Sequence, residues 1–183
     1  MKSAKPLWLL LVLLGFAFPG LALTGCKEEK ATVVEVKPAT AYFPVQLGDK
    51  VVNLQIAALP QEQQMGLMHR RDLKADDGMV FVFPAPQRMS FYMRNTPTPL
   101  TIGYFDETGV LREKYDMHPL DETPVPSRST QIQFCVEMQQ GWYDRNGVKP
   151  GAKLDLAAVA AAMQARGLDP VEFGLREFLP PRR

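Results

Sequence analysis

The chain has 183 residues, 46% hydrophobic and 22% charged, with 21 basic and 20 acidic side chains. That length fits one domain or at most two, and a formal charge of +1 gives no electrostatic footprint for a general nucleic-acid binder. Two cysteines cannot build a disulfide framework and two histidines leave little for a His-rich metal site, while 16 prolines and 13 glycines predict many turns between short elements.

Residues 1–25 read as a secretory leader. Lys2 and Lys5 give a positive start, and Leu7 to Phe18 is an apolar run of twelve residues, too short to span a bilayer and long enough for a signal core. Pro19 and Gly20 break it, and Leu23-Thr24-Gly25-Cys26 follows. That ending resembles the lipobox of bacterial lipoproteins. The resemblance implies cleavage before Cys26 and a thioether lipid on its sulfur, anchoring the protein in the cell envelope. Lys27 stands where an inner-membrane retention signal usually has Asp, so the resemblance points to the outer membrane, facing the periplasm. An uncleaved anchor, or an ordinary signal with an incidental cysteine, is the alternative. Cleavage there would leave 158 residues with 19 basic and 20 acidic groups, enough for a core without staples.

Residues 26–40 are charged and carry Pro38, which suits a tether. The runs Tyr42 to Leu47 and Val51 to Ile56 read as strands joined by Gly48-Asp49-Lys50, a hairpin. Pro60 to Met68 opens with Pro and continues with good helix formers, which predicts a short helix. Strand signals then recur at Met79 to Phe83, Met89 to Met93, Leu100 to Phe105, Val110 to Tyr115 and Thr130 to Met138, with 116–130 a long loop. Gln140 to Arg145 suggests a short helix or turn, and Leu154 to Leu156 a last short strand. Asp155 is placed to cap an alanine-rich helix, Leu156 to Arg166, whose Leu156, Val159 and Met163 would face the sheet. Short strands with turns every 8–12 residues predict a mostly β domain, a β-rich α+β fold of compact sandwich or barrel-like form, with one or two short helices and an added C-terminal helix. The expected organisation is a leader over 1–25, a tether over 26–40, a β domain over 41–156, and a C-terminal helix and tail over 157–183.

Between Gly66 and Gly151 a series of motifs follows in order. It runs Gly66-Leu67-Met68-x-Arg70, Gly78-Met79-x-Phe81-x-Phe83, then Phe91-Tyr92-Met93-Arg94-Asn95-Thr96-x-x-Pro99-Leu100. Phe105-Asp106 with Gly109, Glu137, Gly141-Trp142, and Gly147 with Gly151 complete it. The set resembles the family named domain of unknown function 192, with Tyr92 where that pattern usually has Trp. The resemblance covers about residues 41–156, implies a compact, mostly β domain, and supplies no activity.

The candidate site residues come from these motifs. Arg70, Met93, Asn95, Thr96, Asp106 and Glu137 are the expected ligand-binding set. Met79, Phe81, Phe83, Phe91 and Met93 alternate along two strands, as core residues do, and the same side chains suit a groove for an apolar ligand or peptide. Asn95-Thr96 before Pro97 suits a turn or the rim of a pocket. Arg70 with Asp106 and Glu137 reads either as an Arg–carboxylate pair holding helix to sheet or as a polar pocket for an anionic or polyol ligand. His69 and His118 match no metal-ligand spacing, and Ser90, Ser127 and Ser129 lie in no Gly-x-Ser-x-Gly elbow. No metal or cofactor is expected, and Cys135 reads as a buried, inert thiol. The functional expectation is a lipid-anchored envelope protein that binds a small ligand or a partner protein. The alternative is an envelope hydrolase or lyase using Asp106 or Glu137 as general acid/base with Arg70. A third reading gives the C-terminal helix a role in assembly.

Overall fold

The computed structural model describes residues 35–179; the expected leader, Cys26 and the first part of the tether lie outside them. Strand β1 (Phe43–Leu47) turns through Gly48, at φ 60°, into β2 (Lys50–Ala57). The two pair antiparallel from Phe43 opposite Leu54 to Leu47 opposite Lys50. A two-residue loop with positive φ at its first position matches the right-handed twist of the strands it joins. The chain then leaves the hairpin pattern. It crosses over through helix α1 (Pro60–Met65) and returns as β3 (Asp77–Gln87), parallel to β2.

Strand β4 (Ser90–Phe91) is only two residues and pairs with β7 (Val125–Pro126), inside the segment expected to be loop. Strands β5 (Leu100–Phe105) and β6 (Leu111–Met117) form the second hairpin, and β8 (Ile132–Gln139) inserts between β3 and β5, antiparallel to both. The result is a six-stranded mixed sheet in the order β1-β2-β3-β8-β5-β6. It is mostly β but not a closed barrel. At one end the edges come together: Lys153 and Leu154 form bridges to Val110 and Leu47, so the expected strand at 154–156 is a clasp between the two sides of the sheet.

Alternation along each strand sorts the core into two faces. On β8, Phe134, Val136 and Met138 point to one face, and Cys135 and Glu137 to the other. The first face is covered by α2 (Trp142–Arg145), α3 (Leu156–Ala165) and the tail. The Asp155 carboxylate accepts from the Ala158 N–H at 3.0 Å, and Leu156, Val159 and Met163 are buried against β1 and β2, as their spacing predicts. Phe173 and Leu175 are also buried, so the tail docks. Tyr143 reaches over β5 and donates its hydroxyl to Val136 O at 2.9 Å. A Cβ on Gly103 would overlap that hydroxyl, which is why glycine stands there. Full burial of each such large apolar side chain contributes about 1.5–3 kcal/mol.

The second face holds Leu67, Met79, Phe81, Met89, Met93, Ile102 and Tyr104. Its cover is thinner, because α1 buries none of its own residues. Cys135 lies here, and burial, with Glu137 nearby, pushes its thiol pKa up, so it stays a protonated, inert group.

Candidate functional site: a carboxyl at the floor of a cavity

Glu137 sits in the middle of the sheet, opposite Met79 on β3 and Ile102 on β5. Strand pairing fixes its backbone, and the alternation of β8 turns its side chain to the thinly covered face. It is 4% exposed, and no donor among the described residues reaches its carboxyl. Burial alone therefore decides its ionisation, and pushes its pKa up to about 8. Among the described residues, the side-chain polar atom sealed from solvent without a partner is Arg166 Nε. The Glu137 oxygens thus keep a route to solvent, and that route is a cavity of about 360 Å³.

The cavity wall comes from three stretches of chain. The α1 segment supplies Gln63, Gln64, Met65, Gly66, Leu67 and Met68, the end of β3 supplies Phe81 and Phe83, and the turn around β4 supplies Arg88, Met89, Phe91 and Tyr92. Phe91 meets Phe81 edge to face at 4.9 Å. The Gly66 backbone, at φ 47° and ψ −131°, runs against the Phe81 ring at the end of α1, a conformation that L side chains rarely adopt. Thr96 also lines the cavity and donates its hydroxyl to Arg94 O at 3.0 Å.

Of the six residues expected to bind ligand, Glu137 and Thr96 share this cavity and the others do not. Met93 is packed in the core. Asn95 is exposed, at φ 53°, and its carbonyl accepts from the His69 N–H at 2.8 Å, so it shapes the turn that ties the loops together. Arg70 is held by Asp72 at 2.7 Å, the Tyr42 hydroxyl at 2.9 Å and Gln55 at 3.2 Å. It lines a separate apolar cavity of about 290 Å³ that also touches α1. Asp106 closes the β5–β6 turn: its Oδ1 accepts from Thr108 N, Thr108 Oγ1 and Val110 N at 2.7–2.9 Å, and Arg112 pairs with its Oδ2. Burial raises the Asp106 pKa, but these partners more than offset it and the net shift is downward.

The register puts Asp106 four residues beyond the pair Ile102–Glu137, roughly 13 Å along the strand. Arg70, Asp106 and Glu137 therefore form no single pocket, and the two-carboxylate acid/base set has no common cleft. What remains is one protonatable carboxyl in a cavity lined by aromatic, thioether and amide side chains, able to bind a donor or cation or to exchange a proton.

The sequence signal for Glu137 was visible, a lone acid within the apolar run Ile132 to Met138. Met89, Arg88, Tyr92 and the α1 glutamines were not among the candidates, because only the crossover of α1 brings them over β8.

Helix α1 is fixed from outside the β domain. Arg166, at the end of α3, donates to Ile56 O and pairs with Glu62 on α1, whose carboxylate also accepts from the Ala58 and Leu59 N–H groups at 3.1 Å. Burial raises the Glu62 pKa and these donors more than reverse it.

Among solved structures, a protein of unknown function from Novosphingobium aromaticivorans is similar at 30% identity and a TM-score of 0.61, over 68% of this chain and 96% of that one. A candidate transcription regulator from Sinorhizobium meliloti is similar at 27% identity and a TM-score of 0.61, over 65% and 96%. No curated protein matches the chain. The family model DUF192, an uncharacterised group whose description reads "Uncharacterized ACR", matches residues 43–156, and the motif series, the fold and that match agree that this chain belongs to the DUF192 family.

Proposed function

We propose that the protein is a lipid-anchored component of the cell envelope whose β domain binds a small ligand in the Glu137 cavity. One observation carries the binding half: a carboxyl buried to 4% exposure, without a partner among the described residues, on the wall of an open cavity. With no protein donor among the described residues and a route to the cavity, the carboxyl is free to pair with a ligand that enters it. The volume, about 360 Å³, lies within the range of small-molecule sites. The near-neutral charge gives no footprint for DNA, so the regulator description of the Sinorhizobium relative is not carried over.

The anchor half rests on Leu23-Thr24-Gly25-Cys26 after its apolar run, with Lys27 favouring the outer membrane. Mass spectrometry of the protein from membranes checks it: the mature chain should start at an acylated Cys26, and an unmodified Cys26 refutes the anchor. For the cavity, thermal shift against sugars, peptides and envelope fragments should yield binders that compete with one another and whose affinity changes in Glu137→Gln. A screen without binders refutes the cavity reading.

A second reading, an envelope hydrolase or lyase, is favoured by the Glu137 pKa near 8, suited to a general acid at neutral pH. It would rest on Glu137 alone, because Asp106 is engaged by Arg112. Chemical change of a bound ligand, abolished in Glu137→Gln, separates this reading from simple binding.

A further inference from the structure

Among the described residues Glu137 has no partner, and the surfaces around it favour one kind. Phe81, Phe83 and Phe91 line the same cavity, with Met89 beside them, while Tyr92, also on the wall, already carries the Arg94 guanidinium over its ring at 5.0 Å. Aromatic faces carry negative electrostatic potential and attract cations in desolvated sites. A carboxylate in low dielectric attracts them more strongly still. Among the described residues the cationic side chain on the wall is Arg88, which directs its Nε to Ser127 O at 2.9 Å.

We propose that the ligand of this cavity is an organic cation with an apolar body, a protonated amine or a quaternary ammonium, whose charged head sits against the Glu137 carboxylate and whose body lies along Phe81, Phe83 and Phe91. This rests on the small-ligand reading above and names its chemical class. An anion could accept the proton of the neutral carboxyl in a hydrogen bond, but its charge would lie against the electron-rich aromatic wall and it could not pair with the ionised carboxylate. A neutral alcohol would supply one hydrogen bond and leave the potential of the rings unused.

In the ligand-free protein Glu137 carries its proton below about pH 8. Binding of the cation ionises the carboxyl, and that proton leaves to solvent; no other bond forms or breaks. The charged and titratable groups around it are Arg88 and Tyr92 on the wall, Arg94 over the Tyr92 ring, Tyr104 and Cys135 on the same sheet face, and Tyr143 on the opposite one. Burial raises the pKa of Tyr104, Cys135 and Tyr143, so all three stay protonated as Glu137 titrates.

The test uses the full chain and three probes of one size, n-hexylammonium, 1-hexanol and hexanoate, titrated at millimolar concentration and followed by protein NMR at pH 6, 7 and 8. An alkylammonium stays charged throughout that range, as lysine does with its pKa of about 10.4. Hexylammonium should bind best of the three, at Phe81 and Phe91, and its affinity should rise roughly tenfold per pH unit below 8. Glu137→Gln should weaken it at least ~10-fold at pH 8 and abolish the pH dependence, while hexanol binding, which reports an intact cavity, stays unchanged. Hexanol or hexanoate binding as tightly as the ammonium, or indifference of the ammonium to Glu137→Gln, overturns the charge assignment. If either neutral or anionic molecules do bind there, the cavity reading survives that loss. If neither these probes nor the broad screen finds any binder, both fall together.

Discussion

The two faces of the sheet bury comparable strands beneath unlike covers. On one, α2, α3 and the docked tail fill the space over β1, β2, β3 and β8 with Trp142, Tyr143, Met163 and Phe173. On the other, α1 is six residues long, buries none of them, and is flanked by cavities of about 360 and 290 Å³. Two carboxylates repeat the contrast in miniature. Asp106 and Glu137 are 3% and 4% exposed, yet their pKa values move in opposite directions. Burial raises both, less at Asp106, which lies in a turn and has donors that outweigh it, and more at Glu137, which lies in mid-sheet and has no donor among the described residues. Depth alone does not set the charge of a buried group. Depth and the donors that the fold has delivered set it together.

The contrast breaks first if the faces respond alike to the loss of a ring. Phe134→Ala, at a fully buried position on the sealed face, should cost about 4 kcal/mol in urea unfolding. Phe91→Ala, half-buried on a cavity wall, should cost at most about 1.5 kcal/mol, because the space it leaves opens into an existing cavity. Equal losses would mean that the second face is as tightly packed as the first. Next in size is the tie between the faces. Arg166→Met leaves the largely buried Glu62 carboxylate without its ion partner and should cost about 3 kcal/mol, with faster amide exchange along α1. Replacing Glu62 by Met as well should recover most of that loss, since no uncompensated charge then remains. If Arg166→Met leaves α1 exchange unchanged, the C-terminal helix does not hold the cavity wall.

These elements were not equally legible in the sequence. Alternation and turn residues predicted β1, β2, β5, β6 and β8 closely, and the spacing of Leu156, Val159 and Met163 with Asp155 before them predicted α3 and its cap. Local signals of that kind act within a few residues. The parallel pairing of β2 with β3 depends on where α1 carries the chain, and no local pattern encodes it; a hairpin and a crossover look alike in two short apolar runs. The expected strand at 89–93 shrank to two residues because Met89 and Met93 are packed into the core from a loop. The same non-local step misgrouped the site. Arg70, Asp106 and Glu137 are all charged side chains beside apolar runs, and only the register reveals that Arg70 meets Tyr42 and Asp72, and Asp106 meets Arg112. Glu137 itself was readable as an acid in an apolar strand. The absence of a partner for it was not.

The two carboxylates give the finest tests, because their pH dependences must have opposite signs. For Glu137 the folded pKa, about 8, lies above the ordinary value of 4.5. As pH rises from 4.5 the unfolded chain loses this proton and the folded chain keeps it, so the wild type loses stability up to about pH 8. Glu137→Gln should therefore be the more stable protein. Linkage sets a ceiling near 5 kcal/mol, water entering through the cavity reduces the expected gain to about 2 kcal/mol at pH 8, and the gain should vanish below pH 4.5. For Asp106 the folded pKa lies below the ordinary 3.8, so its stabilisation is present above that value and is lost as pH falls through the folded pKa. Asp106→Asn keeps an oxygen for Thr108 and Val110 and gives up the half-exposed Arg112, which should cost about 1 kcal/mol at pH 7. That deficit should close as pH falls through the folded pKa of Asp106, where the wild-type carboxylate becomes protonated as well. Urea midpoints for both variants between pH 2 and 8 decide the matter: the Glu137→Gln curve should part from wild type upward with rising pH, and the Asp106→Asn curve should rejoin it with falling pH. Two curves bending the same way would mean that the donors around Asp106 do not outweigh its burial.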